Sequence, residues 1–283
     1  MISSLFLLLL MQSANPYGSP IDPLLRPADV RPPAPANNPP APTPAPVAIP
    51  KSPQEIRFNQ CVDQATDDPS SGVIAANRWQ IEGGGYLARH CLGYAYAELL
   101  DWSKAVPEFV KAAEGAGAAN DDRAANFWAQ AGNAALAKGD YPAARAHLSA
   151  ALQQNRLEGL PRGEVHLDLA RVAVAMEQYD EAKAQFTYVH QLAPQDPLSW
   201  LLSATLARRM GDLALAKADI TKAAKLAGGD PAVALEAGNI AYAAGDTAGA
   251  KKFWQQAVQF DAASAPAEAA STYLARLAGD DED

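Results

Sequence analysis

The chain has 283 residues, 49% of them hydrophobic, and carries 32 acidic against 23 basic side chains for a net charge of −9. That balance, with a pI near 5.0, argues against a nucleic-acid partner, because binding to phosphate backbones leaves a basic footprint.

At the start, Leu5 to Met11 is an apolar run too short to span a bilayer, which takes about 20 apolar residues. Residues 1–15 read as a signal peptide-like segment, although no Lys or Arg precedes the run and Gln12 falls where a small residue is preferred. The segment is either cleaved or retained as a weak anchor, or the true start lies upstream. Export to the periplasm or cell envelope is the expectation, with no integral membrane segment left after signal removal. Residues 16–53 hold 14 prolines and read as a disordered, extended linker that spaces the folded part from the N-terminus.

Residues 54–85 read as a degenerate leading helical hairpin. Ile56, Phe58, Cys61, Val62 and Ala65 share one helical face, Asp68-Pro69 opens a second helix, and Gly83-Gly84-Gly85 ends it. The glycine run lacks the preceding strand and the Lys-Ser or Lys-Thr of a phosphate loop, so it reads as a helix stop.

From there a spaced pattern recurs five times. Ala105, Ala144, Ala182, Ala216 and Ala250 are each followed four residues later by a bulky apolar residue: Phe109, Leu148, Phe186, Ile220 and Trp254. Three further on stand Ala112, Ala151, Val189, Ala223 and Ala257, and twelve before each marker stand Gly93, Gly132, Ala170, Ala204 and Gly238. Small residues at helical spacing let antiparallel helices approach, and the bulky residue fills the gap at their crossing. Gly139-Asp140, Gly211-Asp212 and Gly245-Asp246 write the turn between the helices, glycine ending one and aspartate capping the next. Leu100-Asp101 and Glu177-Gln178 take the same place without glycine. Residues 115–117 and 157–163 lengthen the first two units. A period of 34 in the last steps marks a stack of identical helical units. Residues 263–278 then form a capping helix over the open end, and 279–283 trail as an acidic tail.

This pattern resembles the tetratricopeptide repeat, carried here by Leu92-Gly93 with Tyr96, Trp128 with Gly132, Pro194, Trp200 and Gly238. The resemblance covers residues 86–262 as five repeats. It implies an all-α fold, a right-handed α-solenoid of about six antiparallel helical hairpins plus a C-terminal capping helix. Ala262 departs from it, standing where a closing proline is usual.

Cys61 and Cys91 fall on the first helices of adjacent hairpins. They are either two buried thiols or, as export favours, a disulfide closing a loop worth about 3–4 kcal/mol in the chain-entropy view. A metal site with His90 lacks a fourth ligand. His90, His147, His166 and His190 fall into no catalytic or metal signature, and there is no nucleophile elbow or Walker loop, so the expectation is a non-enzyme without cofactor or small-molecule substrate. No basic amphipathic helix suggests a membrane surface.

In the resembling family, the first helix of each hairpin lines a groove that binds peptides or partner helices. By register that groove presents Tyr94, Glu98, Asn133, Arg171, Thr205, Arg208, Arg209, Asn239 and Tyr242, with Leu167, Leu201 and Leu235 on its floor and the three arginines as a local positive patch. The matching lysine sites of the family's carboxylate clamp hold His90, Ala129 and Leu167, so that clamp is not expected. The reading is a scaffold for a protein or peptide partner, with a structural subunit or assembly factor of an envelope complex, working through its convex face or ends, as the alternative.

Overall fold

A computed structural model describes residues 52–280, and every described element is an α-helix. The signal-like segment, the proline-rich stretch up to residue 51 and residues 281–283 lie outside the described residues. In chain order the helices are α1 (Pro53–Asp67), α2 (Pro69–Ile81), α3 (Gly85–Glu98), α4 (Trp102–Ala118), α5 (Ala124–Lys138), α6 (Tyr141–Gln153), α7 (Gly159–Ala175), α8 (Tyr179–Leu192), α9 (Pro197–Arg209), α10 (Leu213–Leu226), α11 (Pro231–Ala243), α12 (Thr247–Phe260) and α13 (Ala265–Asp280). They pair as six hairpins followed by one last helix. The chain divides after Leu157 into two compact units, so α1–α6 form one and α7–α13 the other.

Local chemistry explains where the helices begin. Ser52 and Glu55 exchange hydrogen bonds in a capping box, which starts α1 at Pro53, the residue that closes the proline-rich stretch. Asp68 accepts from the backbone N–H groups of Ser70 and Ser71 and starts α2. Between the two helices of each of the five later hairpins the turn is the same. The N–H of Asp101, Asp140, Gln178, Asp212 or Asp246 donates to the carbonyl five residues back, at 2.8–2.9 Å. This bond requires a left-handed residue just before it. Gly139, Gly211 and Gly245 supply it at φ 81°, whereas Leu100 and Glu177 adopt φ 58° and 59° despite their side chains.

The five-fold pattern packs as one frame. Every marker alanine is fully buried, as are Phe109 and Leu148, with Phe186, Ile220 and Trp254 nearly so. Burying each of these bulky side chains contributes roughly 2–3 kcal/mol. The small residue sixteen positions earlier makes room for it. A Cβ on Gly93 would lie 2.9 Å from the Phe109 ring, one on Gly132 2.5 Å from Leu148, and one on Gly238 2.3 Å from Trp254.

The extra residues of the first two units lengthen helices more than loops. Gly115-Ala116-Gly117 lies inside α4, where Gly115 lets Tyr86 of α3 approach, and α7 already begins at Gly159. Both helices run to 17 residues. Likewise the last helix extends to Asp280, into the stretch read as an acidic tail.

In the first unit, Cys61 of α1 and Cys91 of α3 are joined by a disulfide with Cα atoms 6.1 Å apart, inside a core of Phe58, Trp79, Leu87 and Phe127. His90 is fully buried beside it, its ring centroid 4.3–5.5 Å from those of Phe58, Phe109 and Phe127. In the second unit, α13 closes the end by packing Ala270, Tyr273, Leu274 and Leu277 against Trp254 and Ala257.

Candidate partner-binding surfaces

In the first unit the inner helices are α3 and α5. Tyr94 does not belong to a binding surface: it is 3% exposed, and its hydroxyl meets Thr66 Oγ1 of α1 at 3.1 Å. The leading hairpin covers that face of α3, so the register position that is open in a regular repeat is interior here. Glu98 is half-buried near the end of α3. Asn133 of α5 is half-buried, and its Oδ1 is shielded from solvent without a hydrogen-bond partner. Asn126, seven residues earlier on the same stripe, is in the same condition. A buried amide oxygen without a donor costs roughly 1–3 kcal/mol. Gln130 lies between them on the stripe and is used by the fold, its Oε1 meeting Nε2 of His90.

Sequence reasoning missed Asn126. The signal that finds it is its two-turn offset from Asn133, which keeps both amides on one helical face.

In the second unit the inner helices are α7, α9 and α11. The three arginines expected to form a positive patch go to separate partners. Arg171 bonds Asp168 of its own helix at 3.1 Å. Arg208 reaches Glu236 of α11, Nε to Oε1 at 2.6 Å and a second nitrogen to Oε2 at 3.2 Å. Arg209 is exposed, with its guanidinium over the Tyr179 ring and 3.4 Å from the Tyr179 hydroxyl. Two of the three charges are therefore matched by carboxylates, and the expected patch is not assembled.

Asn239 is also committed. Its amide nitrogen donates to Glu236 and its oxygen accepts from the indole N–H of Trp254 at 3.1 Å. The Thr205 hydroxyl donates to the carbonyl of Leu201 within α9. Tyr242 is open, 52% exposed, with its ring 5.7 Å from Trp254. The expected apolar floor is part of the core: Leu167 is buried with Phe186 and Leu206, while Leu201 and Leu235 pack partly buried against neighbouring clusters.

The histidines serve packing. His147 stacks on Trp128, His166 lies on Tyr188 and bonds Gln185, and His190 lies 3.4 Å from the Trp200 ring centroid. Burial pushes the imidazoles of all four histidines down, that of His90 to about 4. Glu164 of α7 goes the other way, raised to about 7 by burial, with the charges of Asp168 and Asp196 adding to it. No group of three or more His, Cys, Asp or Glu side chains among the described residues is placed to hold a metal ion, and no described helix is long and apolar enough to cross a membrane.

Solved structures with the same fold include that of PilF from Pseudomonas aeruginosa, 17% identical, spanning 78% of this chain and 100% of that one with a TM-score of 0.62. The structure of PilW, a type IV pilus biogenesis factor, is 17% identical over 76% of this chain and 97% of its own, with a TM-score of 0.65. That of YrrB, described as having an unusual peptide-binding site, is 18% identical over 69% and 96%, with a TM-score of 0.52. No curated protein matches the sequence. Residues 135–206 match the family described as tetratricopeptide repeat, and the chain shares the all-α helical-repeat fold of these structures.

Proposed function

We propose that the chain is a non-catalytic scaffold of the cell envelope that holds an extended segment of a partner protein against its inner helices. The observation that carries this reading is the pair of half-buried asparagines, Asn126 and Asn133, on one stripe of α5. Backbone N–H groups of a bound peptide are donors of the right kind, and a half-buried asparagine can both accept from and donate to a peptide backbone. In the second unit Arg209 and Tyr242 are exposed, whereas Arg208 and Asn239 support the fold. The Cys61–Cys91 bond fits an oxidising compartment, as does the apolar run at Leu5 to Met11.

The fold shared with PilF and PilW supports a second reading, an assembly factor or subunit of an envelope machine that works through its outer face or ends. One experiment separates the two: co-purification of C-terminally tagged chain from source-cell envelopes beside an Asn126→Ala/Asn133→Ala variant. A partner lost from the variant, with unfolding unchanged or slightly stabilised, supports inner-helix binding. A partner kept in both moves the interface elsewhere and favours the assembly role. Recovery from the cytosol alone overturns the envelope location.

A further inference from the structure

The second helices of the last two hairpins, α10 and α12, carry five exposed lysines: Lys217, Lys222, Lys225, Lys251 and Lys252. Within their ranges neither helix has an exposed carboxylate, while the caps Asp212, Asp246 and Asp261 are exposed at their ends. The one acid they contain, Asp219, is buried and accepts from the Ser203 hydroxyl at 2.7 Å. Lys222 rests over the Trp200 ring, and the ammonium groups of the other four have no ion pair or hydrogen bond among the described residues. In a chain of net charge −9, this is a strong local reversal of sign.

The same helices expose apolar side chains. Phe253 and Phe260, two turns apart on one side of α12, are 36% and 42% exposed, and Leu226 ends α10 half in solvent. Each helix buries its small-and-bulky stripe (Ala216, Ile220 and Ala223, or Ala250, Trp254 and Ala257); on α12, Phe253 and Phe260 flank that stripe on one side, Lys251 lies on the other and Lys252 at the back.

We infer that this outer face docks on an anionic phospholipid surface. Three features select a bilayer over a soluble acidic partner. The cations are all lysines, compact point charges suited to a diffuse field of headgroups; no arginine offers the planar fork that recognises one carboxylate or phosphate. Phe253 and Phe260 project singly from one flank of α12, the form that enters the headgroup boundary. A lysine stem can also lie along apolar surface while its ammonium remains among headgroups. The inference concerns the outer helices and stands apart from the inner-helix binding proposed above. Read one helix at a time the sequence hides it, because the charge is divided between helices 34 residues apart in register.

The test is co-sedimentation of the full chain with phosphatidylcholine vesicles and with mixed phosphatidylcholine–phosphatidylglycerol vesicles, at low and high salt. Binding to the anionic vesicles that falls at high salt is expected, since screening weakens exposed charges. A Lys217→Gln/Lys225→Gln/Lys251→Gln/Lys252→Gln variant, altered only at exposed positions, should lose more than tenfold in partition, because each lysine near an anionic surface is worth about fivefold. Phe253→Ser/Phe260→Ser should lower partition while leaving the salt dependence in place. Equal sedimentation with both vesicle types, or undiminished binding of the lysine variant, overturns the inference and assigns lipid contact to another part of the chain. Capture of soluble poly-glutamate without vesicle binding overturns it in favour of an acidic protein partner.

Discussion

Arg208 of α9 lays its guanidinium along the carboxylate of Glu236 on α11, joining the inner helices of two consecutive hairpins through two hydrogen bonds. The Glu236 side chain is only 8% exposed, and Asn239 donates to it from the other side. Removing one member of such a pair leaves a buried charge without compensation, which costs about 3–5 kcal/mol when burial is complete. Arg208→Ala should therefore destabilise the chain by about 3 kcal/mol, while Arg208→Met/Glu236→Leu should fall within about 1 kcal/mol of the parent. Urea unfolding of the three proteins checks this. An Arg208→Ala loss below about 1 kcal/mol would show that solvent stabilises the remaining carboxylate.

Gly238 and Trp254 present a steric case. An alanine in a helix is ordinarily favoured over glycine by about 1 kcal/mol. Here the added methyl would stand 2.3 Å from the indole, and the indole is held by its bond to Asn239. Overpacking of this kind costs about 1–3 kcal/mol, so Gly238→Ala is expected to lower the unfolding midpoint. The matching Ala204→Gly should also lower it, by opening space beside Ile220. A rise in midpoint for Gly238→Ala would mean that the tryptophan can move aside.

At Leu100 the backbone is left-handed and the side chain is 68% exposed. A non-glycine residue costs roughly 1–2 kcal/mol in that conformation, and little packing offsets it here. Leu100→Gly and Glu177→Gly should each stabilise by about 0.5–1 kcal/mol, less than the backbone cost because glycine gains freedom in the unfolded chain. Thermal melts read the sign directly, and Gly211→Ala, the reverse change in the same turn, should move the other way.

The Cys61–Cys91 bond ties the divergent leading hairpin to the repeats across 30 residues of chain. Reduction should lower stability by about 3–4 kcal/mol on the chain-entropy view. Denaturant unfolding with and without reductant measures the difference. Cys61→Ser/Cys91→Ser should unfold like the reduced parent and be insensitive to reductant.

What was legible in the residues was the repeating frame, because its rules are local. A small residue sixteen positions before a bulky one, and Gly-Asp between helices, each specify a contact within one hairpin. The binding surface was less legible because it depends on neighbours in other hairpins. Tyr94 holds a groove position by register, yet the leading hairpin, whose sequence has drifted from the repeat, covers it through Thr66. Arg208 reads as a free cation until Glu236, 28 residues on, is seen beneath it. The insertions lengthen helices: Gly115-Ala116-Gly117 continues α4, where the close approach of Tyr86 needs the missing side chain at Gly115, and most of 157–163 belongs to α7.

His90 gives the first unit a pH dependence of known sign. Burial among Phe58, Phe109 and Phe127 lowers its imidazole from 6.5 to about 4, so protons bind the unfolded chain first as pH falls. The stability it supports is complete above pH 6.5 and is lost as pH falls through about 4, a difference of roughly 3 kcal/mol at most. Burial of His147, His166 and His190 acts in the same direction, whereas Glu164, raised to about 7, contributes stability at low pH that is lost as pH rises through that value. Urea unfolding between pH 7 and pH 4.5 reads the sum of these opposed contributions, with His90 and the other imidazoles favouring a fall with acid. His90→Phe/Gln130→Leu, which replaces both members of the buried polar pair, should reduce that slope by up to one proton, about 1.4 kcal/mol per pH unit. An unchanged slope in the double variant would place the acid sensitivity in the other buried imidazoles, His147 of the first unit and His166 and His190 of the second.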